Sequence, residues 1–139
     1  MTRYIVDASV AVKWVVPEIH SVAAGRLLTA RHELFAPELL LAEITNVLWK
    51  KHRLKELAEN EVLDIMKDLR RFPLQVLGMM SYIETALELA LRHRCSVYDC
   101  IYLALGLHHT MACVTADRKL FNALGRGKSG LNIVWVEDL

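Results

Sequence analysis

Short runs of β-branched and other apolar residues alternate along this chain with longer segments in which apolar residues recur every three or four positions. The short runs predict strands at residues 3–6, 34–36, 74–77, 111–115 and 133–136. The longer segments predict helices at residues 9–16, 21–31, 37–52, 58–72, 82–92, 97–107 and 118–124. Strands that alternate with helices predict an α/β fold, a sandwich in which a central, mainly parallel sheet is flanked by helices. No linker or repeat interrupts the pattern, so residues 1–139 are predicted to form a single domain.

Two of these helices have distinctive compositions. The helix over residues 37–52 is expected to carry Pro37 in its first turn, where the missing backbone N–H is tolerated. The helix over residues 97–107 is apolar on every side, which predicts that it is buried.

Composition adds an expectation about assembly. Of the 139 residues, 54% are hydrophobic, a share above the usual range for a domain of this size. A small domain has difficulty hiding so much apolar surface, so we expect a partner surface, most simply a homodimer. The net charge of +1, from 17 basic and 16 acidic residues, neither requires nor excludes a nucleic-acid partner.

The sequence also argues against secretion and membrane insertion. No N-terminal signal segment is visible, and polar residues interrupt the longest stretch without formal charge, residues 100–116, at positions 108–110. The cysteines, Cys95, Cys100 and Cys113, match no zinc-binding spacing and form no even disulfide framework. A cytoplasmic protein with small buried thiols is therefore predicted.

Four carboxylates stand out as candidate functional groups: Asp7, Glu43, Asp99 and Asp117. Three of them lie where an apolar run gives way to a helix, and ligands bind at this edge of an open α/β sheet. Acids gathered there repel one another unless they are protonated or neutralised, and a divalent cation with oxygen ligands neutralises them well.

Each of these acids also has a purely structural explanation. Asp7 and Asp117 stand at positions typical of helix N-caps, although Ser9 could cap the first helix and leave Asp7 free. Asp99 completes a capping-box pattern that begins at Ser96. Glu43 could belong to a solvated polar stripe on its helix. Taken one at a time, these alternatives remain open.

The segments around these acids resemble the PIN-domain family, specifically the VapC-type toxin nucleases of prokaryotic toxin–antitoxin systems. The matching segments are Ile5-Val-Asp7-Ala-Ser9, Glu43-Ile-Thr-Asn46, Tyr98-Asp99-Cys-Ile-Tyr102-Leu-Ala-Leu-Gly106 and Val114-Thr115-Ala-Asp117-Arg-Lys-Leu. They occur in the family's order and approximate spacing over nearly the full chain. Gly106 stands where the family often has alanine.

The resemblance implies a metal-dependent endoribonuclease in which an activated water hydrolyses RNA phosphodiester bonds. It implies that Asp7, Glu43, Asp99 and Asp117 converge on Mg²⁺ or Mn²⁺, with Ser9, Asn46 and Thr115 as supporting polar residues. It further implies a homodimer and a cognate antitoxin that covers the acidic groove. Such antitoxins often insert an arginine, which pairs with carboxylates in a bidentate manner.

Basic and aromatic residues extend the prediction to RNA binding. Arg118 and Lys119 adjoin Asp117 in sequence and are the best candidates for contacts with RNA phosphates. Trp14, Trp49 and Trp135 could stack on bases, but packing in the core is the favoured role for each of them.

Three other kinds of protein are alternatives to a nuclease. A receiver-like signalling domain also collects acids and Mg²⁺ at a sheet edge, but it requires paired acids after the first strand, where this chain has only Asp7. A haloacid-dehalogenase-type phosphatase needs two acids in the first motif, which here reads Asp7-Ala-Ser9. The remaining alternative is a catalytically idle PIN-like module that acts through protein contacts, which a wide separation of Asp7 from Asp99 would support.

Overall fold

A five-stranded parallel sheet forms the centre of the computed structural model, which describes residues 1–29 and 31–139. All neighbouring strands pair in parallel, in the order β3-β2-β1-β4-β5. Within the described residues the strands are β1 (Thr2–Val6), β2 (His32–Pro37), β3 (Leu74–Leu77), β4 (Ala112–Thr115) and β5 (Ile133–Trp135). The α/β sandwich predicted from the sequence is therefore confirmed.

Seven α-helices in the described part of the chain flank this sheet. They are α1 (Ala8–Val15), α2 (Ser21–Arg26), α3 (Leu39–Arg53), α4 (Glu59–Leu69), α5 (Ile83–His93), α6 (Val97–His109) and α7 (Arg118–Leu124). The helix predicted over residues 21–31 ends earlier, at Arg26, and residue 30 of that prediction lies outside the described residues. None of the helices in this described part is long and apolar enough to cross a membrane.

The prediction that Pro37 begins a helix is wrong. Pro37 is the last residue of β2, in register with Leu77 of β3, and α3 begins two residues later at Leu39. The register between β1 and β2 ends at Ile5 and Phe35, so Pro37 is paired on its β3 side only. A residue without a backbone N–H is tolerated at such a strand end, because it leaves no ladder hydrogen bond unmade.

Most of helix α6 is buried in the core, as its apolar sequence predicts. Every residue from Cys100 to Gly106 is buried, and the helix packs against β1, β2 and β4. A side chain at Gly106 would place its Cβ 2.8 Å from the carbonyl oxygen of Met111, so the close approach of the chain leading into β4 accounts for glycine at this position.

The tryptophans divide between core and surface. Trp14 packs near Phe72 and donates a hydrogen bond to the carbonyl oxygen of Ala24 at 2.9 Å, and Trp135 is buried. Trp49 is 52% exposed on α3, so the core role favoured for it from the sequence is wrong. The helix period places this residue on the solvent side of α3, opposite the buried stripe of Leu40, Ile44 and Leu48.

Strand order determines where a ligand binds. The chain moves outward from β1 to β2 and β3, and then returns to place β4 on the other side of β1. In open parallel sheets, such a reversal creates a crevice at the carboxyl ends of the two strands concerned, here β1 and β4. Receiver domains use a different strand order, 2-1-3-4-5, so the topology excludes the receiver-like alternative.

Candidate active site

The four candidate carboxylates line one cavity of about 300 Å³ at the carboxyl edge of the sheet. Asp7 directly follows β1, Asp117 follows β4, Glu43 projects from α3 and Asp99 lies in the first turn of α6. The other residues that line this cavity are Ala8, Ser9, Val12, Asn46, Val47 and Lys50. Tertiary structure therefore brings together acids that lie up to 110 positions apart, since the cavity reaches from Asp7 to Asp117.

Asp7 is held by side chains rather than by the end of a helix. It occupies the N-cap position of α1, yet its carboxylate accepts no capping hydrogen bond. Instead, the hydroxyls of Ser9 and Thr115 both donate to Oδ2, at 2.6 and 2.9 Å. The cap explanation for Asp7 is therefore wrong, and the predicted support by Ser9 and Thr115 corresponds to two direct hydrogen bonds.

These two hydroxyls are themselves fixed by backbone amides. The N–H of Ala116 donates to Ser9 Oγ at 2.9 Å, and the N–H of Asp117 donates to Thr115 Oγ1 at 3.0 Å. Because each hydroxyl accepts from the backbone, its proton is directed toward Asp7. The loop after β4 thus orients the carboxylate that follows β1.

The environment of Asp7 disfavours its charged form. Burial raises the pKa of this carboxyl from 3.8 to about 6, although the hydrogen bonds from Ser9 and Thr115 oppose the shift. The negative charges of Asp99 and Glu43 raise it further. Asp99 and Glu43 are therefore close enough to Asp7 for their charges to affect its pKa, as expected for groups that converge on one site.

Glu43 has a partner that sequence reasoning missed. The phenol of Tyr102, which is buried in α6, donates to Glu43 Oε1 at 2.5 Å. Burial raises the pKa of Glu43, the Tyr102 hydrogen bond opposes this, and the charge of Asp99 adds to it. The sequence does contain a signal for this contact: Tyr102 lies in the apolar stretch of α6, and a buried hydroxyl needs a hydrogen-bond partner. Asn46, one turn further along α3, is exposed and lines the same cavity.

The carboxylate of Asp117 caps a helix, whereas that of Asp99 does not. Ser96 caps α6 by accepting from the N–H of Asp99 at 3.1 Å, but the Asp99 carboxylate does not accept from the N–H of Ser96, so the predicted capping box is incomplete. Burial raises the pKa of Asp99, the hydroxyl of Ser96 beside the carboxyl opposes this shift, and the negative charge of Asp117 adds to it. Asp117 is a true N-cap of α7, because its Oδ1 accepts from the N–H of Leu120 at 3.1 Å. Its other carboxylate oxygen, Oδ2, makes no capping contact.

A second cavity, of about 360 Å³, adjoins the first and shares Asp99 and Asp117 with it. Lys119, Arg94 and His93 contribute basic groups to its wall. Arg118 is engaged elsewhere, since its guanidinium lies 3.8 Å from the ring centroid of the buried Trp135. Of the two basic residues singled out in the sequence, Lys119 lines this cavity and Arg118 packs against the core.

The donor set suits a hard divalent ion. Carboxylate oxygens, the amide of Asn46 and the hydroxyl of Ser9 line the first cavity, and a cation would relieve the mutual repulsion of its acids. In the part of the chain that the structure describes, no three acidic, histidine or cysteine side chains form a cluster that could directly ligate an ion. Mg²⁺ is commonly held by one or two carboxylates, with waters filling its remaining positions, so this looser arrangement fits it.

Comparison with known proteins identifies the family. The sequence profile of the PIN domain matches residues 4–126. The chain is 36% identical over 121 residues to Ribonuclease VapC3 of Pyrobaculum aerophilum, an alignment that covers 85% of this chain and 92% of the relative.

Solved structures share the fold. PAE2754 of Pyrobaculum aerophilum superposes with a TM-score of 0.74 at 24% identity, covering 98% of this chain and 85% of its own. A toxin–antitoxin complex of Klebsiella pneumoniae gives a TM-score of 0.68 at 14% identity, covering 98% and 99% of the two chains. Because the family profile spans residues 4–126 and the ribonuclease relative is 36% identical over 85% of the chain, this chain belongs to the PIN domain family.

Proposed function

We propose that this PIN-domain protein is a metal-dependent endoribonuclease, the toxin of a toxin–antitoxin pair of the VapBC type. The observation that carries the proposal is that Asp7, Glu43, Asp99 and Asp117 share one cavity at the switch point of a parallel sheet. Similarity to a protein named as a ribonuclease supports RNA as the substrate. The chemistry of the site supports Mg²⁺ or Mn²⁺ as the cofactor, which one or two of these four acids would bind directly and the others through its bound waters.

The residues of the chain would divide the work of hydrolysis. Ser9 and Thr115 hold the Asp7 carboxylate in one orientation, and Tyr102 does the same for Glu43. Asp99 and Asp117 stand between the two cavities, where a phosphodiester could reach them. A bound divalent ion would supply a more acidic water as the nucleophile and would offset the charge on the phosphate oxygens. Orientation of the acids before substrate arrives reduces the entropic part of the barrier.

The basic wall of the second cavity gives the RNA strand a path away from the acids. Lys119→Ala is expected to raise the KM for RNA several-fold and to weaken the dependence of affinity on salt, because one phosphate contact is lost. Arg92→Ala is the matched control, since Arg92 is exposed on α5 and outside both cavities. Cleavage assays over a range of salt concentrations measure both effects. Equal changes in the two variants would contradict a specific role for Lys119. The same assays on Arg118→Ala would test the contact with an RNA phosphate that the sequence predicts for Arg118.

A cognate antitoxin fits the same acidic cavity. The Klebsiella pneumoniae structure that shares this fold is a toxin–antitoxin complex. An arginine from such a partner would pair with the carboxylates and compensate their negative charge. The inserted side chain would also block access of a phosphodiester to the cavity. Substitution of that arginine by alanine in the antitoxin should restore cleavage; continued full inhibition would argue for a different mode of blocking.

We also propose that the protein forms a homodimer and acts in the cytoplasm, where RNA is available. Helices α5 and α6 pack together and expose Leu87, Leu91 and Leu107, which are 50%, 75% and 56% accessible. Because these side chains are already partly covered, burying the rest of each between two copies would contribute about 1–2 kcal/mol, or half to three-quarters of the value for a fully exposed leucine. Light scattering should report twice the chain mass, and Leu91→Glu should shift it to the monomer. A monomeric wild type would oppose the proposal.

One experiment separates this function from the idle-module alternative. Cellular RNA ends are sequenced after brief expression of the wild type and of Asp99→Asn. New ends that share a sequence or a loop and that are missing with Asp99→Asn would support cleavage. Identical sets of ends would favour a module that acts through protein contacts alone.

A further inference from the structure

Two thiols meet at the edge of the acidic site. Cys95 lies in the turn between α5 and α6, Cys100 lies in the first turns of α6, and their sulfur atoms are 3.0 Å apart. Both are free cysteines. A disulfide bond is about 2 Å long, so these sulfurs are within about 1 Å of bonding distance. None of the proposed chemistry at the carboxylates uses this pair.

The two thiols differ in exposure. Cys100 is fully buried, whereas Cys95 is half-buried and lines the cavity that contains Lys119. A small oxidant entering that cavity reaches Cys95 first and finds Cys100 directly behind it. Cys113 is buried in β4 and makes no contact with another sulfur among the described residues.

We propose that Cys95 and Cys100 are a redox modification site, which a hydroperoxide converts to an intrachain disulfide. In the first step, Cys95 Sγ attacks the peroxide, the O–O bond breaks, and sulfenic acid and one molecule of alcohol or water form. In the second step, Cys100 Sγ attacks the Cys95 sulfur, the S–O bond breaks, and the thiol proton leaves with the hydroxyl as water. The two thiols lose two electrons in total, and the hydroperoxide gains them.

The bond would act on Asp99, which lies between the two cysteines. The turn from Cys95 to Cys100 is held by Ser96, whose Oγ accepts from the N–H of Asp99 and whose carbonyl accepts from the N–H of Cys100. Drawing the sulfurs together pulls on this turn and moves the Asp99 carboxylate relative to Asp7. Displacement of a reacting group by about 1 Å can lower a rate by about 100-fold. This consequence for cleavage rests on the proposed function, whereas formation of the bond does not.

The test uses the full-length protein with hydrogen peroxide as the probe. After treatment, free thiols are alkylated under denaturing conditions, and intact mass and peptide mapping locate the modification. We expect the loss of two hydrogens, a peptide pair joined through Cys95 and Cys100, an alkylated Cys113, and full reversal by a dithiol reductant. Cys95→Ala should leave Cys100 and Cys113 as alkylatable thiols after the same treatment.

RNA cleavage is measured on the same samples, as the ratio of rates before and after peroxide. We expect at least a tenfold loss in the wild type that reductant restores, and an unchanged ratio in Cys95→Ala. Over-oxidised Cys95 without a link to Cys100, or a link between two chains, would overturn the proposed site. A correct disulfide with unchanged cleavage would overturn its action on Asp99. A wild type that never cleaves RNA would instead count against the proposed function, with the mass result unaffected.

Discussion

Asp7→Asn is expected to abolish metal-dependent RNA cleavage while the protein stays folded. Asparagine keeps an oxygen that can accept from the hydroxyls of Ser9 and Thr115, so the local geometry survives. It removes the charge that would hold a divalent ion. Loss of a residue that only orients a ligand costs about 10–100-fold, so loss of the ligand charge itself should exceed about 100-fold. Initial rates at saturating Mg²⁺ or Mn²⁺, with circular dichroism to verify folding, measure the effect.

The control is Asp64→Asn, which removes one carboxylate from the exposed surface of α4, away from both cavities. It should cleave RNA at the wild-type rate. Asp99→Asn should behave as Asp7→Asn does. Activity of Asp7→Asn within a few-fold of the wild type would exclude Asp7 as a metal ligand and would remove the main support for the proposed chemistry.

Without a divalent ion, stability is expected to fall as the pH rises through the range in which Asp7 ionises. Burial raises the pKa of Asp7 from 3.8 to about 6, so between these values the folded protein retains a proton that the unfolded chain has released. The free energy of unfolding therefore decreases across this window. Each pKa unit corresponds to about 1.4 kcal/mol, so the total decrease is about 3 kcal/mol. The raised pKa values of Glu43 and Asp99 act in the same direction.

Mg²⁺ or Mn²⁺ should reverse this loss at neutral pH. An ion that binds only the folded protein stabilises it by about 2.7 kcal/mol at 100 times its Kd, and binding requires the ionised acids. Urea unfolding between about pH 4 and pH 7, with chelator or with the ion, measures both effects. Asp7→Asn should flatten the pH dependence in chelator and reduce the gain from the ion. A wild-type curve that rises with pH in chelator, or an equal gain from the ion in Asp7→Asn, would contradict this account.

Local patterns were sufficient where a residue's role depends on its near neighbours in sequence. The apolar periodicity of residues 97–107 predicted a buried helix, and α6 is buried from Cys100 to Gly106. The position of Asp117 directly before a predicted helix predicts an N-cap, and Asp117 does cap α7. The helix start predicted at Pro37 is wrong because local sequence does not reveal that β2 continues to Pro37 beside β3, where it has no β1 partner.

Other features required the whole fold. Tyr102 reaches Glu43 across 59 positions and Thr115 reaches Asp7 across 108, and no local pattern predicts such pairs. Local sequence also does not predict that Lys119 lines the second cavity while Arg118 packs elsewhere. Arg118 packs elsewhere because Trp135 of β5 lies beneath its guanidinium.

The sequence by itself determined the alternation of strands and helices, the single parallel sheet and the identity of the four acids, because hydrophobic period and side-chain chemistry are local properties. Only the tertiary structure decided that these acids face one cavity, which hydroxyls orient Asp7, and that Cys95 and Cys100 are in contact. The physical reason is strand order: placing β4 beside β1 joins segments more than 100 positions apart, at 3.1 Å between the N–H nitrogen of Asp7 and the carbonyl oxygen of Val114.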